Sequence, residues 1–185
     1  MNRNNDIIDQ CQTLLSGAVF VATFVLVWFF GLPSVQAAEL KPLADIDVVK
    51  LQVKLDEMKS LASPLRVQLR KVRSEVEFDI RQIHSIERSI SQAENDLKRL
   101  IMMHRGGRFN GMRAHFLTDS LRRKARNLHG GEDYVDAMMS REQQKPDQQN
   151  AELLNDYNQL RSQLGNYSQL LDQCLVITTR QQQAL

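Results

Sequence analysis

Four histidines are the side chains of this sequence best suited to metal binding or proton transfer, yet their spacing argues against a metal site. His84, His104, His115 and His129 have no His or Cys partner at the short spacings typical of zinc ligands, and the sequence has no Gly-rich loop that would cradle a phosphate. Ser, Asp and Glu residues are scattered over polar positions, where they are ordinary solubilising groups. We therefore expect no catalytic residue, no metal and no cofactor in a non-enzymatic protein.

A cluster of basic residues is the second feature with chemical potential. Between Lys98 and Arg126 the sequence holds nine Lys or Arg against one acidic residue, Asp119, a local balance of +8. At a predicted hairpin turn, this basic tip would meet anionic lipid headgroups, wall polymers or an acidic partner groove. The alternative is that these cations only complement helix dipoles and face solvent. The candidate partner-binding or anion-binding residues are Arg105, Arg108, Arg113, Arg122, Arg123, Lys124 and Arg126.

The two cysteines, Cys11 and Cys174, cannot build a disulfide framework. Cys174 falls on an apolar position of the last predicted helix. Its simplest interpretation is a small buried hydrophobe, and the alternative is an intermolecular disulfide in a parallel dimer.

An apolar segment near the N-terminus predicts the compartment. Residues 14–30 are all apolar or small, and a helix-breaking Gly-Leu-Pro follows them. The small residues Val35 and Ala37 suit signal-peptidase cleavage after Ala37, so residues 1–37 are a predicted signal peptide. Asp6 and Asp9 weaken the positive charge of the leading segment, which leaves an uncleaved membrane anchor as the alternative. Either outcome predicts a periplasmic chain or one anchored in the inner membrane and facing the periplasm.

A heptad repeat is the strongest structural signal of the sequence. Counted from Val48 to Leu100, fifteen of the sixteen a and d positions are apolar, and the exception is Asp79. This seam predicts one helix about 90 Å long, kinked or briefly broken at Pro64 and ending near Arg105. Asp79 would either fix the register beside an arginine or be turned outward by a local stutter.

The rest of the chain is predicted to connect this helix to a return helix. One short helix would end near Gly130-Gly131 and a second would span Glu132 to about Gln143, after which Pro146-Asp147 opens the last helix. The predicted seam residues of the two long helices are Leu55, Leu69, Val76, Ile83, Ile90, Leu97, Leu160, Leu164 and Leu171. The expected fold class is all-α, a long antiparallel coiled-coil hairpin with short connecting helices at its distal end. Residues 38–147 would form the long helix, basic turn and short helices, and 148–185 the return helix.

Two segments give the chain a resemblance to a known family. Residues 97–107, Leu-Lys-Arg-Leu-Ile-Met-Met-His-Arg-Gly-Gly, and residues 116–123, Phe-Leu-Thr-Asp-Ser-Leu-Arg-Arg, resemble the N-terminal coiled-coil region of EnvC-type murein hydrolase activators. His104 stands where that family has Tyr, and the sequence given carries no LytM/M23-like domain. The resemblance implies a coiled coil that docks on an inner-membrane division complex, as an adaptor, competitor or scaffold rather than as an activator.

These features together predict a periplasmic coiled-coil adaptor that binds other cell-envelope proteins, with a link to cell-wall remodelling or division. The alternative is a membrane-anchored structural subunit of a secretion, pilus or motor assembly. The expected partner is an envelope or inner-membrane protein complex, or a second copy of the chain, with the membrane itself contacted through the N-terminal segment if that segment is uncleaved. The net charge of +2 and a single Arg-Gly-Gly triplet give no reason to expect a nucleic-acid partner.

Overall fold

The computed structural model describes residues 42–74, 79–106, 109–144 and 151–183. These residues form four helices and no strand, so the predicted all-α class is confirmed. The helices are α1 (Asp45–Ser74), α2 (Ile80–Arg105), α3 (Gly111–Gln143) and α4 (Ala151–Gln183). The predicted apolar segment 14–30, its cleavage site and Cys11 lie outside the described residues.

The four helices pack as an up-and-down bundle. Each helix contacts its neighbours along the chain, and α4 also packs against α1. All four interfaces are antiparallel. Leu43 N donates a hydrogen bond to His104 Nδ1 where α1 begins and α2 ends, and Asp79 N at the start of α2 donates to the Tyr134 hydroxyl in the last third of α3. His129 and Asp136 of α3 pair with Asp172 and Arg161 of α4, and Lys71 near the end of α1 pairs with Asp156 near the start of α4. The Leu43 contact and the Asp79 contact mark opposite ends of the bundle. We call these the Leu43 end and the Asp79 end. With 30, 26, 33 and 33 residues, the helices are similar in length and need no further element to cover them.

The prediction of a single helix from Val48 to Leu100 is wrong. This segment contains two helices, α1 and α2, which pack against each other. Helix α1 continues through Pro64 without a break. Helix α2 begins after Asp79, whose carboxylate accepts a hydrogen bond of 2.8 Å from the backbone N of Arg81. Asp79 is therefore an exposed N-cap rather than a core residue that fixes register. The heptad pattern continues across the break because both helices bury the same kind of stripe.

The two short connecting helices are also wrong, since residues 111–143 form the single helix α3. Gly130 and Gly131 lie inside it. A Cβ atom on Gly131 would come within 3.0 Å of the Ile86 side chain and 3.3 Å of Leu164. Glycine therefore lets α3 approach α2 and α4 closely, and this packing offsets the roughly 1 kcal/mol that a mid-helix glycine costs relative to alanine.

The bundle core contains the predicted seam residues. Eight of the nine are at most 1% exposed, and the ninth, Val76, lies outside the described residues. Burying such a leucine or isoleucine stabilises the fold by about 1.5–3 kcal/mol relative to an exposed position. The core continues into α3 through Leu121, Leu128 and Val135, which were not among the predicted seam residues.

A buried polar contact holds α1 against α4 near the Asp79 end. The Asp156 side chain, 2% exposed, accepts hydrogen bonds from Gln68 Nε2 at 3.2 Å and from Lys71 Nζ at 2.8 Å. A buried carboxylate needs such partners, because an uncompensated one is strongly destabilising. This contact fixes the register of α4 along α1.

Candidate functional site

A groove of about 460 Å³ lies between α2 and α3. Its volume falls within the range of small-ligand sites, and it is open to solvent along one side. Every side chain that lines it is basic or polar. The lining residues are Arg81, His84, Ser85, Arg88, Ser89 and Gln92 from α2, and Lys124 and Asn127 from α3. We call this feature the basic groove.

Helical periodicity arranges its cations. Arg81 and Arg88 are seven residues apart, which places them on one face of α2 about 10 Å apart along the helix axis. Ser85 and Gln92 lie four residues after Arg81 and Arg88, respectively, on the same face, and Ser89 lies four residues after Ser85. Lys124 approaches from α3, because the two helices run antiparallel. Three cations from two helices therefore surround one cavity.

The lining of the groove contains three cations and no carboxylate. Arg81, Arg88 and Lys124 form no ion pair within the described part of the chain. Three carboxylates lie close to these cations in sequence. Asp79 accepts the hydrogen bond from the backbone N of Arg81, Glu87 lies 3.5 Å from Nδ1 of the groove residue His84, and Asp96 accepts a hydrogen bond of 2.7 Å from Ser120. The groove lining therefore carries a net positive charge, which suits an anionic ligand.

The seven residues of the predicted basic tip do not form one cluster. Arg105 ends α2 and Arg113 lies in the first turn of α3, whereas 122–126 lie about 15–20 Å further along α3. The reason is that α3 is continuous, so the chain does not fold back between these groups. Of the last group, Lys124 lines the groove, Arg122 pairs with Asp119, and Arg123 and Arg126 are exposed. Arg108 lies outside the described residues.

Arg81 and Arg88 were not among the predicted site residues. A local excess of charge in the sequence reveals only residues that are close together along the chain. The groove instead brings together residues about 40 positions apart. The sequence does hold a usable signal. Arg81 and Arg88 are one heptad apart at positions outside the apolar seam, and each is followed four residues later by a polar side chain, Ser85 or Gln92. The pairing of that face with Lys124 requires the antiparallel arrangement of α2 and α3.

Two histidines have structural roles of opposite electrostatic character. His104 is half buried; its Nδ1 accepts the hydrogen bond from Leu43 N, and its ring packs against Phe109 with centroids 4.9 Å apart. Burial lowers its pKa. The acceptor role requires a neutral ring, so His104 acts as an uncharged clamp for the start of α1.

His129 instead joins α3 to α4 through charge. Its Nε2 lies 2.9 Å from Asp172 Oδ2, and its Nδ1 lies 3.1 Å from Glu132 Oε1. Burial lowers its pKa, but the hydrogen bonds and negative charges of Asp172 and Glu132 outweigh that effect, and the pKa is raised. His84 and His115 lie beside carboxylates of their own helices. No group of three His, Cys, Asp or Glu side chains in the described residues is arranged to hold a metal ion.

Cys174 is completely buried in the bundle. Burial raises the pKa of its thiol to about 12. A buried, protonated thiol cannot readily attack another cysteine, because the thiolate is the reactive form. Both properties oppose the intermolecular disulfide and favour the simpler interpretation of a small buried hydrophobe.

Exposed apolar side chains concentrate at the Leu43 end. Seven of the nine large ones on the described residues lie within about two turns of the helix termini that meet there. The exceptions are Val67 and Ile80. The seven are Ile46, Val49, Val53, Met102, Met112, Phe116 and Val176. No helix of the described residues is long and apolar enough to cross a membrane.

Taken together, the fold and the groove define the described part as an up-and-down four-helix bundle with a basic polar groove on one face. Comparison with known proteins adds no relative: no protein-family model, no curated protein and no solved structure matches this chain.

Proposed function

We propose that this chain is a non-enzymatic, exported helical-bundle adaptor that binds another protein of the cell envelope. The observation that carries the proposal is an apolar stripe on the outside of α1, formed by Ile46, Val49 and Val53, which are 64%, 56% and 51% exposed. Their i, i+3, i+7 spacing is that of core positions in a helix pair. The bundle buries its own core without them, so the stripe is available to a partner.

The surroundings of the stripe favour a protein helix as the occupant. Lys50 pairs with Asp47, and Lys54 pairs with Glu57, so charges of both signs flank the apolar side chains. A mixed-charge rim around an apolar centre is typical of protein interfaces. A membrane surface rich in anionic lipid would instead favour an excess of cations beside the stripe.

The non-enzymatic part of the proposal is supported by the character of the basic groove. His84 and Ser85 both line the groove, but among the described contacts His84 forms no hydrogen bond to Ser85 or Ser89, and its Nδ1 lies 3.5 Å from Glu87 instead. The groove thus offers binding groups without a nucleophile and base arranged together.

Export is supported by residues 14–30 and the small residues before Ala38 in the sequence. N-terminal sequencing of the chain from its native compartment tests this directly. A chain that begins at Ala38 supports the exported adaptor, whereas an intact N-terminus favours the alternative, an anchored subunit of a secretion, pilus or motor assembly. The link to cell-wall remodelling or division rests on the resemblance to EnvC-type activators alone.

Photo-crosslinking in cells tests the adaptor role. A crosslinking amino acid at Val49 is expected to capture a different envelope protein, and the matched control at Val67, which is 61% exposed on the same helix, is expected to capture none. Capture of a second copy of the chain would replace the adaptor with a homodimer. Equal capture at both positions, or none at Val49, would contradict the proposal.

A further inference from the structure

We propose that the basic groove binds phosphate groups. The proposal does not depend on the adaptor function, because it rests on a different face of the bundle. It is carried by the cavity of about 460 Å³ and by three cations, Arg81, Arg88 and Lys124, whose groove has no carboxylate among its lining residues.

The charge distribution of the bundle sets this groove apart. Elsewhere, cations at helix interfaces face carboxylates of the adjoining helix: Lys71 faces Asp156, and Arg66 lies 3.5 Å from Glu94. Like charges around one cavity repel each other, so the groove destabilises the bundle slightly when it is empty. A bound anion would remove this repulsion and gain charge-assisted hydrogen bonds.

The neutral lining groups point to phosphate rather than to a single carboxylate. The hydroxyls of Ser85 and Ser89 and the amides of Gln92 and Asn127 add hydrogen-bond donors between and beside the cations. A phosphate group presents three or more oxygens in different directions, whereas a carboxylate presents two in one plane. Arginine binds phosphate with two parallel N–H donors, so the two arginines add geometry as well as charge.

The spacing of the cations indicates more than one phosphate group. Arg81 and Arg88 lie about 10 Å apart along the axis of α2, which is more than one phosphate group can span. One phosphate would bind between Arg88 and Lys124, and a second would bind near Arg81. A soluble polyphosphate or diphosphate ester has this chemistry, and so do neighbouring anionic phospholipid headgroups.

Calorimetric titration of the full chain with inorganic tripolyphosphate, in neutral detergent and at constant ionic strength, tests the proposal. The groove variant combines Arg81→Gln, Arg88→Gln and Lys124→Gln. The matched control combines Arg70→Gln, Arg123→Gln and Arg126→Gln, three exposed residues outside the groove, and changes the net charge by the same amount. The groove variant is expected to bind on the order of a hundredfold more weakly than the unmodified chain, and the control less than about threefold more weakly.

Competition distinguishes the two sources of phosphate. Detergent micelles doped with phosphatidylglycerol displace tripolyphosphate if headgroups are the ligand, and micelles doped with phosphatidylcholine serve as the control. Displacement by phosphatidylglycerol alone supports a headgroup ligand, and displacement by neither lipid supports a soluble one.

Absence of tripolyphosphate binding by the unmodified chain, or equal weakening in both triple variants, would overturn the proposal. Circular dichroism establishes that each variant is folded. If the groove variant does not fold, the pair Arg81→Lys and Arg88→Lys replaces it, because it keeps the charge and removes only the two-pronged donors. That pair is expected to bind roughly tenfold more weakly, and unchanged affinity would contradict the assigned arginine geometry.

Discussion

Helix α3 carries charged side chains on both of its flanks, and the two flanks differ in how those charges are matched. Toward α4, Asp136 pairs with Arg161 and His129 bridges to Asp172. Toward α2, Lys124 joins Arg81 and Arg88 around a groove without a carboxylate. The α3–α4 charges thus hold two helices together, whereas the α2–α3 charges do little for stability and are available to a ligand.

The largest expected effect concerns the position of α3 between these two flanks. Gly131→Leu forces four additional carbon atoms toward Ile86 and Leu164, which a Cβ atom alone would already approach to 3.0 and 3.3 Å. We expect the free energy of unfolding to fall by about 3 kcal/mol, measured by chemical denaturation. Gly130→Ala is the control, because no atom lies within 4 Å of its Cβ position, and it is expected to stabilise the chain by about 0.5–1 kcal/mol. Equal effects at the two glycines would contradict the close packing of α3.

The second prediction concerns the α1–α4 interface, where a cation is also paired with a carboxylate of the neighbouring helix. Lys71→Met removes the cation beside Asp156, whose side chain is only 2% exposed. Since Lys71 is itself 45% exposed, we expect a loss of about 1–3 kcal/mol in the free energy of unfolding, less than for a fully buried pair. Lys59→Met, which breaks an exposed pair with Asp56 on the same helix, is expected to change stability much less, because solvent screens that pair. If Lys71→Met and Lys59→Met lowered the free energy of unfolding equally, the buried carboxylate of Asp156 would not need Lys71 for its stabilisation.

The third prediction uses the pH dependence of the α3–α4 flank. Because the pKa of His129 is raised, its stabilising contribution is fully present below the ordinary value of 6.5 and is lost as the pH rises through the folded-state pKa. The contribution of His104 to stability has the opposite pH dependence, because the pKa of His104 is lowered. This contribution is fully present above 6.5 and is lost as the pH falls through the folded-state pKa.

The variant His129→Gln separates the two histidines. The stability difference between the unmodified chain and this variant is expected to be largest at acidic pH and to vanish at alkaline pH, and to remain below about 1 kcal/mol because His129 is half exposed. Melting curves across this pH range provide the measurement. The control Gly130→Ala keeps every histidine and the α3–α4 bridge and should show no such trend. A difference that grows with pH would contradict the assigned bridge.

The smallest expected effect compares the flanks directly. Arg161→Gln removes a solvent-screened attraction across α3–α4 and is expected to lower stability slightly. Arg88→Gln removes a repulsion in the groove and is expected to leave stability unchanged or raise it by a similar amount. Melting temperatures at low salt measure both, and the difference should shrink as salt is added. A larger loss for Arg88→Gln would mean that the groove cation is structural.

Much of the fold was predictable from apolar periodicity, because eight of the predicted seam residues are buried in the core. The chain reversal between α1 and α2 was not predictable from this periodicity. A heptad stripe looks the same in the sequence whether it packs against another helix of the same chain or against a second copy of the chain. Asp79 indicated where the chain reverses, because it is the only polar residue among the sixteen predicted seam positions. In the structure it is the N-cap of α2. The helix end predicted near Gly130-Gly131 was wrong for a physical reason. Glycine often ends helices, but at Gly131 it allows neighbouring helices to pack closely.

The candidate site was predictable only in part. Lys124 belonged to the predicted basic tip, because a charge excess is visible along the sequence. Arg81 and Arg88 were not predicted, because their proximity to Lys124 depends on the antiparallel register of α2 and α3. That register is fixed by contacts such as Asp79 N with the Tyr134 hydroxyl, which no local pattern encodes.

Chemical-shift mapping of the full chain during titration with inorganic tripolyphosphate tests most directly whether the two flanks of α3 differ in function. We predict that the signals of Arg81, Arg88, Ser89 and Lys124 move together with a single affinity, while those of Arg161, Arg123 and Arg126 remain in place. Shifts spread evenly over all exposed arginines, or confined to the α3–α4 flank, would contradict the assignment of the groove as the binding face.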